Sequence, residues 1–304
     1  MRFHMSIYDV GGENLLDYHQ RSRINNALYA IHKDISAELT AKALADVASY
    51  SEQHFHRIFR QVVGESVHQY IRRTRLEHAA NQLMFEHRSS VQEIAEKCGF
   101  HSVSSFSHAF KQLFSVSPGA WRSTGSKSTE PPYLNDPEIS AGYQRVQSRE
   151  LPQPEIVTLE NQPVAYVRHQ GYGRDIRQAW QTLQAWAASE GRDSTQQIAL
   201  HHSNPAWVPL PKCRYVACIG IEKPLTRSGV VNSMVIPGGV HAAFRLEGCY
   251  GDLLPYLSRI MEEWLPQSGF KMQTTPALVC YEKNHFLAED AHFRLVFNLP
   301  VSLM

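Results

Sequence analysis

Two stretches in the first half of the chain carry one pattern. Ser51, Phe55, Phe59, Arg60, Ser66 and Tyr70 correspond, at an offset of 51, to Ser102, Phe106, Phe110, Lys111, Ser117 and Trp121; Leu44 and Ala45 match Ile94 and Ala95 at an offset of 50. A repeat of this length calls for a structural unit built twice. In the first copy Ser51 is a good N-cap, and Phe55, Ile58, Phe59 and Val62 recur at i, i+3, i+4 and i+7, the buried stripe of an amphipathic helix. Gly64 stands where a left-handed cap would end that helix, and Ser66 opens the next. In the second copy Phe106, Ala109, Phe110 and Leu113 make the stripe. Each copy reads as helix, tight turn, helix, so the region is predicted to be an all-α, duplicated helix-turn-helix.

The outward faces of these helices carry chemistry. Gln53, His56, Arg57 and Arg60 share the exposed stripe of the first copy, and Ser104, Ser107, His108 and Lys111 that of the second; all can meet base edges or phosphates. Arg72, Arg73 and Arg75 extend the positive strip, and Glu65 is the only acid between Phe55 and Leu76. A solvated polar face accounts for any one such helix, but its recurrence favours a DNA-reading surface. The helix expected over 66–85, roughly 27 Å long at 1.5 Å per residue, is of the scale that holds two reading helices about one DNA turn apart.

A length of 304 residues with 43% hydrophobic and 10% aromatic side chains fills two cores. The net charge of +1 leaves room for a local basic patch, not a polyelectrolyte surface. Ten of the 16 histidines precede residue 125, so this half would gain charge as pH falls towards about 6.5. Cys98, Cys213, Cys218, Cys249 and Cys280 form no CxxC pair and suit a reducing cytosol. No apolar run approaches the roughly 18 residues of a membrane span, and residues 1–18, expected as a loose extension, lack a signal peptide's apolar core; a cytoplasmic protein without membrane contact is expected. The first firm helix is predicted over 22–38, with Ile24, Leu28, Ile31 and Ile35 packed on the first reading unit. Paired prolines and small polar residues mark 124–153 as a linker, with one short strand around 143–146.

The second half carries a repeat of its own. Tyr172, Gly173, Leu183, Trp186 and Gly191 fall on Tyr250, Gly251, Met261, Trp264 and Gly269 at an offset of 78, with Cys249 inserted. Each copy reads as a strand, a glycine turn, a helix of about four turns and further strands such as 215–221 and 293–299. The second half, 154–304, is thus expected to be an α+β domain of duplicated strand-helix-strand-strand units, one sheet with two helices on a face. The groove between the copies is the natural ligand site, and Tyr172, Trp207, Tyr250, Tyr281 and Phe286 are its candidate wall, since aromatic faces stack and hold cations. Trp180, Trp186 and Trp264 are assigned to core. His201 and His202 are adjacent, so in a strand they point to opposite faces and cannot chelate one metal. No P-loop, GxSxG or HExxH occurs, and no catalytic residue, cofactor or metal is assigned.

The stretch LADVASYSEQHFHRIFRQVVGESVHQYIRRTRLEHAANQL with VQEIAEKCGFHSVSSFSHAFKQLFSVSPGAWR resembles the DNA-binding domain of AraC/XylS-family transcription regulators, over roughly residues 21–123. The family's hallmarks stand as Ile94, Ala95, Gly99, Phe100, Phe110, Lys111, Ser117 and Pro118. Ser115 replaces a common glycine, which implies a different cap. Val103, Ser104, Ser107 and His108 stand where some relatives carry long amides and an arginine, which implies weaker base readout by the second helix. The resemblance implies double-stranded promoter DNA and RNA polymerase as partners.

Residues 154–304 resemble the gyrase-inhibitor-like (Rob-type) effector-binding domain, through PEIVTLENQPVAYVRHQG, KCRYVACIGI, IPGGVHAAFRLEGCYGDL and EEWLPQSGF. That implies a pocket for a small, often aromatic or cationic effector. The family's PxxExY is PALVCY here, with Val279 in the glutamate's place; Glu247 is the only nearby substitute for the lost counter-charge. The expected function is a sequence-specific, ligand-responsive transcription regulator. The alternatives are a hydrolase tethered to a DNA-binding module and a C-terminal protein-interaction domain.

Overall fold

The computed structural model describes residues 15–86, 89–124, 132–225, 230–273 and 275–303. Most of the extension expected at 1–18, and residues 125–131 of the expected linker, lie outside them. Among the described residues the first half holds seven helices: α1 Leu15–Lys33, α2 Ala41–Val47, α3 Glu52–Val63, α4 Val67–Phe85, α5 Val91–Lys97, α6 Val103–Phe114 and α7 Pro118–Thr124. Their starts obey local chemistry: the side chains of Thr40, Ser51, Ser66, Ser90 and Ser102 each accept a backbone N–H of the first turn. Ser66 with Gln69 and Ser90 with Glu93 complete reciprocal capping boxes. Two small cores result. Ile24, Ile31, Leu44, Phe55, Phe59 and Tyr70 pack α1 to α4 together, and Leu83, Ile94, Phe106, Phe110 and Trp121 pack α4 to α7. Helix α4 belongs to both and is their connecting rod.

The described residues of the second half form nine strands: β1 Glu155–Leu159, β2 Gln162–Gln170, β3 Gln197–His201, β4 Arg214–Gly220, β5 Asn232–Ile236, β6 Gly239–Cys249, β7 Phe270–Met272, β8 Ala277–Lys283 and β9 His292–Leu303. They pair antiparallel throughout, in the order β1-β6-β9-β8-β3-β4-β2-β5, with β7 beside β9. One face carries helix α9, Ile176–Ser189, and helix α10, Leu253–Arg259, over a core centred on Trp180, Tyr215, Phe244 and Phe293. After α10 the chain passes through a π-helical stretch, Ile260–Trp264, and a short 3-10 turn, so the second of the two expected helices is irregular where the first is regular.

Two expectations change. The strand around 143–146 is a helix, α8, Pro137–Gln147, whose Ile139 and Val146 are buried in the core of the second half. Asp136 caps it and Pro137 sits in its first turn, the arrangement that fixes a helix start; those two residues look loop-like only when read apart from Ile139 and Val146. Helix α1 not only packs on α2 and α3 but also lies against the sheet's second face. Its Ser22 hydroxyl donates to Asn232 Oδ1 at 3.0 Å, and Tyr29 packs on the apolar cluster of Val164, Leu200, Met234 and Leu278.

Candidate functional site

The exposed face of α3 is set by its buried one. Phe55, Ile58 and Phe59 are inside, which turns Gln53, Arg57 and Arg60 outward, all exposed, with His56 partly covered by His68 at 5.6 Å and 4.0 Å from Glu52. Arg57 Nη2 lies 3.2 Å from His54 Nδ1, a contact that steadies the guanidinium without neutralising it. On α6, Phe106, Ala109 and Phe110 are inside; Ser104, His108 and Lys111 are exposed and Ser107 is partly so. The structure thus brings each predicted set of four onto one helix face.

The strip does not continue along α4 as expected. Arg73 is held between Glu65 and Glu77, the latter at 2.7 Å. Arg75 donates to the carbonyls of Ile35, Ala37 and Gly99 at 3.0, 2.8 and 2.9 Å, tying the loop after α1 to the turn before α6. Of the three, Arg72 alone is exposed, and it donates to Gln112 of α6 at 2.9 Å. The basic charge that the sequence displays here is used mostly for structure.

In the second half, Tyr172, Tyr250 and Phe286 converge on a groove between the two helix-bearing units, joined by His201, Tyr215 and His285. Tyr172 is pinned, its hydroxyl donating to the Ser203 and Arg214 carbonyls at 3.0 and 3.2 Å, and burial raises its pKa well above 10. Burial, with the carboxylates of Asp136 and Glu138, pushes Tyr250 up to about 12, and burial pushes His285 down to about 3, so both stay neutral. The remaining space is only about 40 Å³, because α8 closes one side. Ile139 lines the groove, Glu138 pairs with Arg174, Arg174 lies 4.1 Å over the Tyr250 ring, and Arg145 meets Asp252 at 2.6 Å. A groove this small is far below the roughly 300 Å³ of an ordinary ligand pocket, so a ligand there must displace side chains or α8.

The other two predicted wall residues, and Glu247, the proposed counter-charge, lie elsewhere. Tyr281 is core, edge-on to Trp180 at 5.7 Å. Trp207 packs against Trp121 of α7 at 5.5 Å and lines a cavity of about 130 Å³ between α4 and the second half. Glu247 is exposed, 3.8 Å from Arg294, and does not line the groove. Val279 is fully buried, and no Asp or Glu is among the described residues lining the groove. His201 faces Tyr172 and Tyr215 while His202 packs against His32 of α1 at 4.5 Å, the opposite orientations that strand alternation requires. His201 is a groove residue that the sequence reading missed, although alternation along β3 points to it.

The two halves are joined by partly buried polar contacts that no local pattern announces. Arg214 of β4 donates to Glu77 at 2.5 Å and to Thr74 at 3.0 Å, both on α4, and Asn204 donates to Asn81 at 3.2 Å. Glu77 is 4% exposed, so this Arg73–Glu77–Arg214 triad is an interior one.

Residues 44–124 match a helix-turn-helix domain family, and residues 152–295 match the GyrI-like small molecule binding domain. Among curated relatives, the probable transcriptional regulator LumQ of Photobacterium leiognathi is 34% identical over 106 residues, 34% of this chain and 42% of LumQ. The uncharacterized HTH-type transcriptional regulator YbfP of Bacillus subtilis is 34% identical over 34% of this chain and 35% of its own length. The chain therefore spans less than half the length of these two. The HTH-type transcriptional activator AarP of Providencia stuartii is 33% identical over 34% of this chain and 76% of AarP. The helical region and the paired domain matches make the chain a member of the AraC-type helix-turn-helix transcription regulators, carrying a GyrI-like small molecule binding domain.

Proposed function

We propose that this protein is a sequence-specific transcription regulator whose second half senses a small molecule. In this reading residues 21–123 bind double-stranded promoter DNA and residues 154–304, with α8 added from the preceding stretch, bind the effector. The carrying observation is that α3 and α6, each 12 residues long, present exposed polar faces while their apolar faces anchor on the single 19-residue helix α4. At 1.5 Å per residue α4 spans about 28 Å, which suits two successive major grooves on one side of a duplex. The shared lengths, caps and phenylalanine stripes favour two reading units that are copies of each other.

Gln53, His56 and Arg57 would read bases and Arg60 would serve phosphate; Ser104, Ser107, His108 and Lys111, with their shorter reach, would contribute less to base choice. The aromatic groove of Tyr172, Tyr250 and Phe286 is the effector site of this reading. Binding without turnover is favoured there, since burial holds the Tyr172 and Tyr215 phenols protonated and pushes up the nearby Cys213 thiol, leaving weak nucleophiles. RNA polymerase would be the further partner and the cytoplasm the place of action; no described helix is long and apolar enough to cross a membrane.

The test is binding of the full chain to fragmented DNA of its own genome, with bound fragments sequenced at two salt concentrations. One enriched motif of roughly 15–20 base pairs that survives the salt rise better than bulk binding is expected. Uniform binding that collapses with salt would overturn the reading.

A further inference from the structure

The second face of the sheet, opposite α9 and α10, carries chemistry that the aromatic groove does not use. Strand alternation sends Val164, Tyr166 and Arg168 of β2, Leu200 of β3 and the adjoining His202 to this side. Between these residues and the C-terminal end of α1 lies a cavity of about 510 Å³, larger than the groove and within the range of small-molecule sites. Its floor is apolar, with Leu200, Met234, Ile236 and Leu278. Its charged lining has one sign. Arg168 and Lys33 contribute cations, His32, His202 and His241 contribute imidazoles, and no Asp or Glu is among the described lining residues.

The polar end is only partly satisfied: the Arg168 guanidinium lies 5.1 Å from the centre of the Tyr166 ring and bonds that residue's hydroxyl. Arg168 Nε and His202 Nε2 are buried and have no hydrogen-bond partner among the described residues. Burial, together with the neighbouring cations, holds both His32 and His202 well below the usual histidine range, so they are neutral hydrogen-bonding groups and Arg168 supplies the charge. A buried guanidinium nitrogen without an acceptor is costly, and the partner that answers it is an oxyanion.

We propose that this cavity is a second small-molecule site, separate from the aromatic groove, which takes a monoanion with an apolar body, a carboxylate or sulfonate on an alkyl or aryl frame. The oxyanion accepts from Arg168 and His202, and the body lies over Leu200, Met234 and Ile236. Tyr29, His32 and Lys33 come from α1 and the rest from the sheet and the loops that join its strands, so one ligand bridges the two halves and fixes α1 against the sheet.

The experiment is calorimetric titration of the full-length protein with phenylbutyrate and, as the same body with the opposite charge, phenylbutylamine. Phenylbutyrate should bind at least about tenfold more tightly, and Arg168→Gln should weaken it by about tenfold or more, the fold-change of a lost charge-assisted hydrogen bond. Equal affinity for the two compounds would overturn the proposal. So would loss of phenylbutyrate binding in Tyr250→Ala with retention in Arg168→Gln, which would seat the anion in the groove. If Arg168→Gln does not fold, the charge comparison on the unmodified chain decides alone. No DNA enters the titration, so its outcome is independent of whether α3 and α6 read a promoter.

Discussion

Ser115 shows what one side chain can cost. It caps α6 at φ +65° in the left-handed region, the place that Gly64 fills for α3 at φ +84°. The sequence expectation of a different cap is thus corrected: the geometry is the same and the residue is the poorer one for it. Since a non-glycine residue there is strained by about 1–2 kcal/mol, Ser115→Gly should raise stability by about 1 kcal/mol in urea unfolding, and no gain would mean that its hydroxyl contributes a compensating contact. Gly99 marks the opposite case: at φ +76° a Cβ would sit 2.7 Å from the Arg75 guanidinium, whose bonds join Ile35, Ala37 and Gly99. In the proposed DNA-reading surface the residue to test is Arg57. Replacing it with alanine should remove about 1–3 kcal/mol of discrimination at one base pair if its contact to a base is bidentate. Equal loss on target and random DNA, in a competition assay, would instead make Arg57 a phosphate contact.

Elements were legible where local signals agreed. Caps at Ser51 and Ser66, a helical period in the phenylalanines and a glycine stop placed α3 and α4 within a residue or two, and the glycine turns at Gly173 and Gly251 located the starts of α9 and α10. Two residues of the groove's wall were legible with them, because Tyr172 and Tyr250 flank those turns. Helix α8 was hidden because its composition is loop-like and its helicity rests on tertiary contact: Gly142 meets the Gly251 backbone so closely that a Cβ would lie 2.2 Å from the carbonyl oxygen. Gly142→Ala should therefore push α8 off the groove mouth and cost about 1–3 kcal/mol, as overpacking does. A variant within about 0.5 kcal/mol of the unmodified chain, the range of ordinary surface changes, would show that α8 can shift freely. Arg73 and Arg75 misled for a related reason: charge is visible in a sequence, but the tertiary partners that consume it are not.

At the scale of the molecule the contacts between halves decide behaviour, and polar groups sit among them beside the apolar contacts of Tyr29 and Trp207. His78 of α4 and His201 both line the cavity between α4 and the second half, and burial pushes each down to about 4. Neither they nor His32 supplies the charge that the histidine-rich composition suggested for mildly acidic pH. The sign comes from linkage: an unfolded histidine titrates near 6.5, so between about pH 6.5 and 4 the unfolded or undocked chain binds more protons, and stability falls as pH falls. At pH 5 each of the two should cost about 2 kcal/mol, at 1.36 kcal/mol per pH unit below 6.5. The Arg73–Glu77–Arg214 triad works in the same place by a different route. With Glu77 neutralised, two guanidinium groups would share an interior site with one partly exposed carboxylate, Glu65, reaching only Arg73. Removing one partner of a buried ion pair costs about 3–5 kcal/mol, so Glu77→Gln should loosen the docking of α4 on β4 at neutral pH. Trp121 and Trp207, 5.5 Å apart across the boundary, report it: their fluorescence should change at lower urea than the far-ultraviolet circular dichroism does. If both signals instead move together and by less than about 0.5 kcal/mol, the range of surface changes, the triad does not hold the halves together, and the apolar contacts of α1 and Trp207 do.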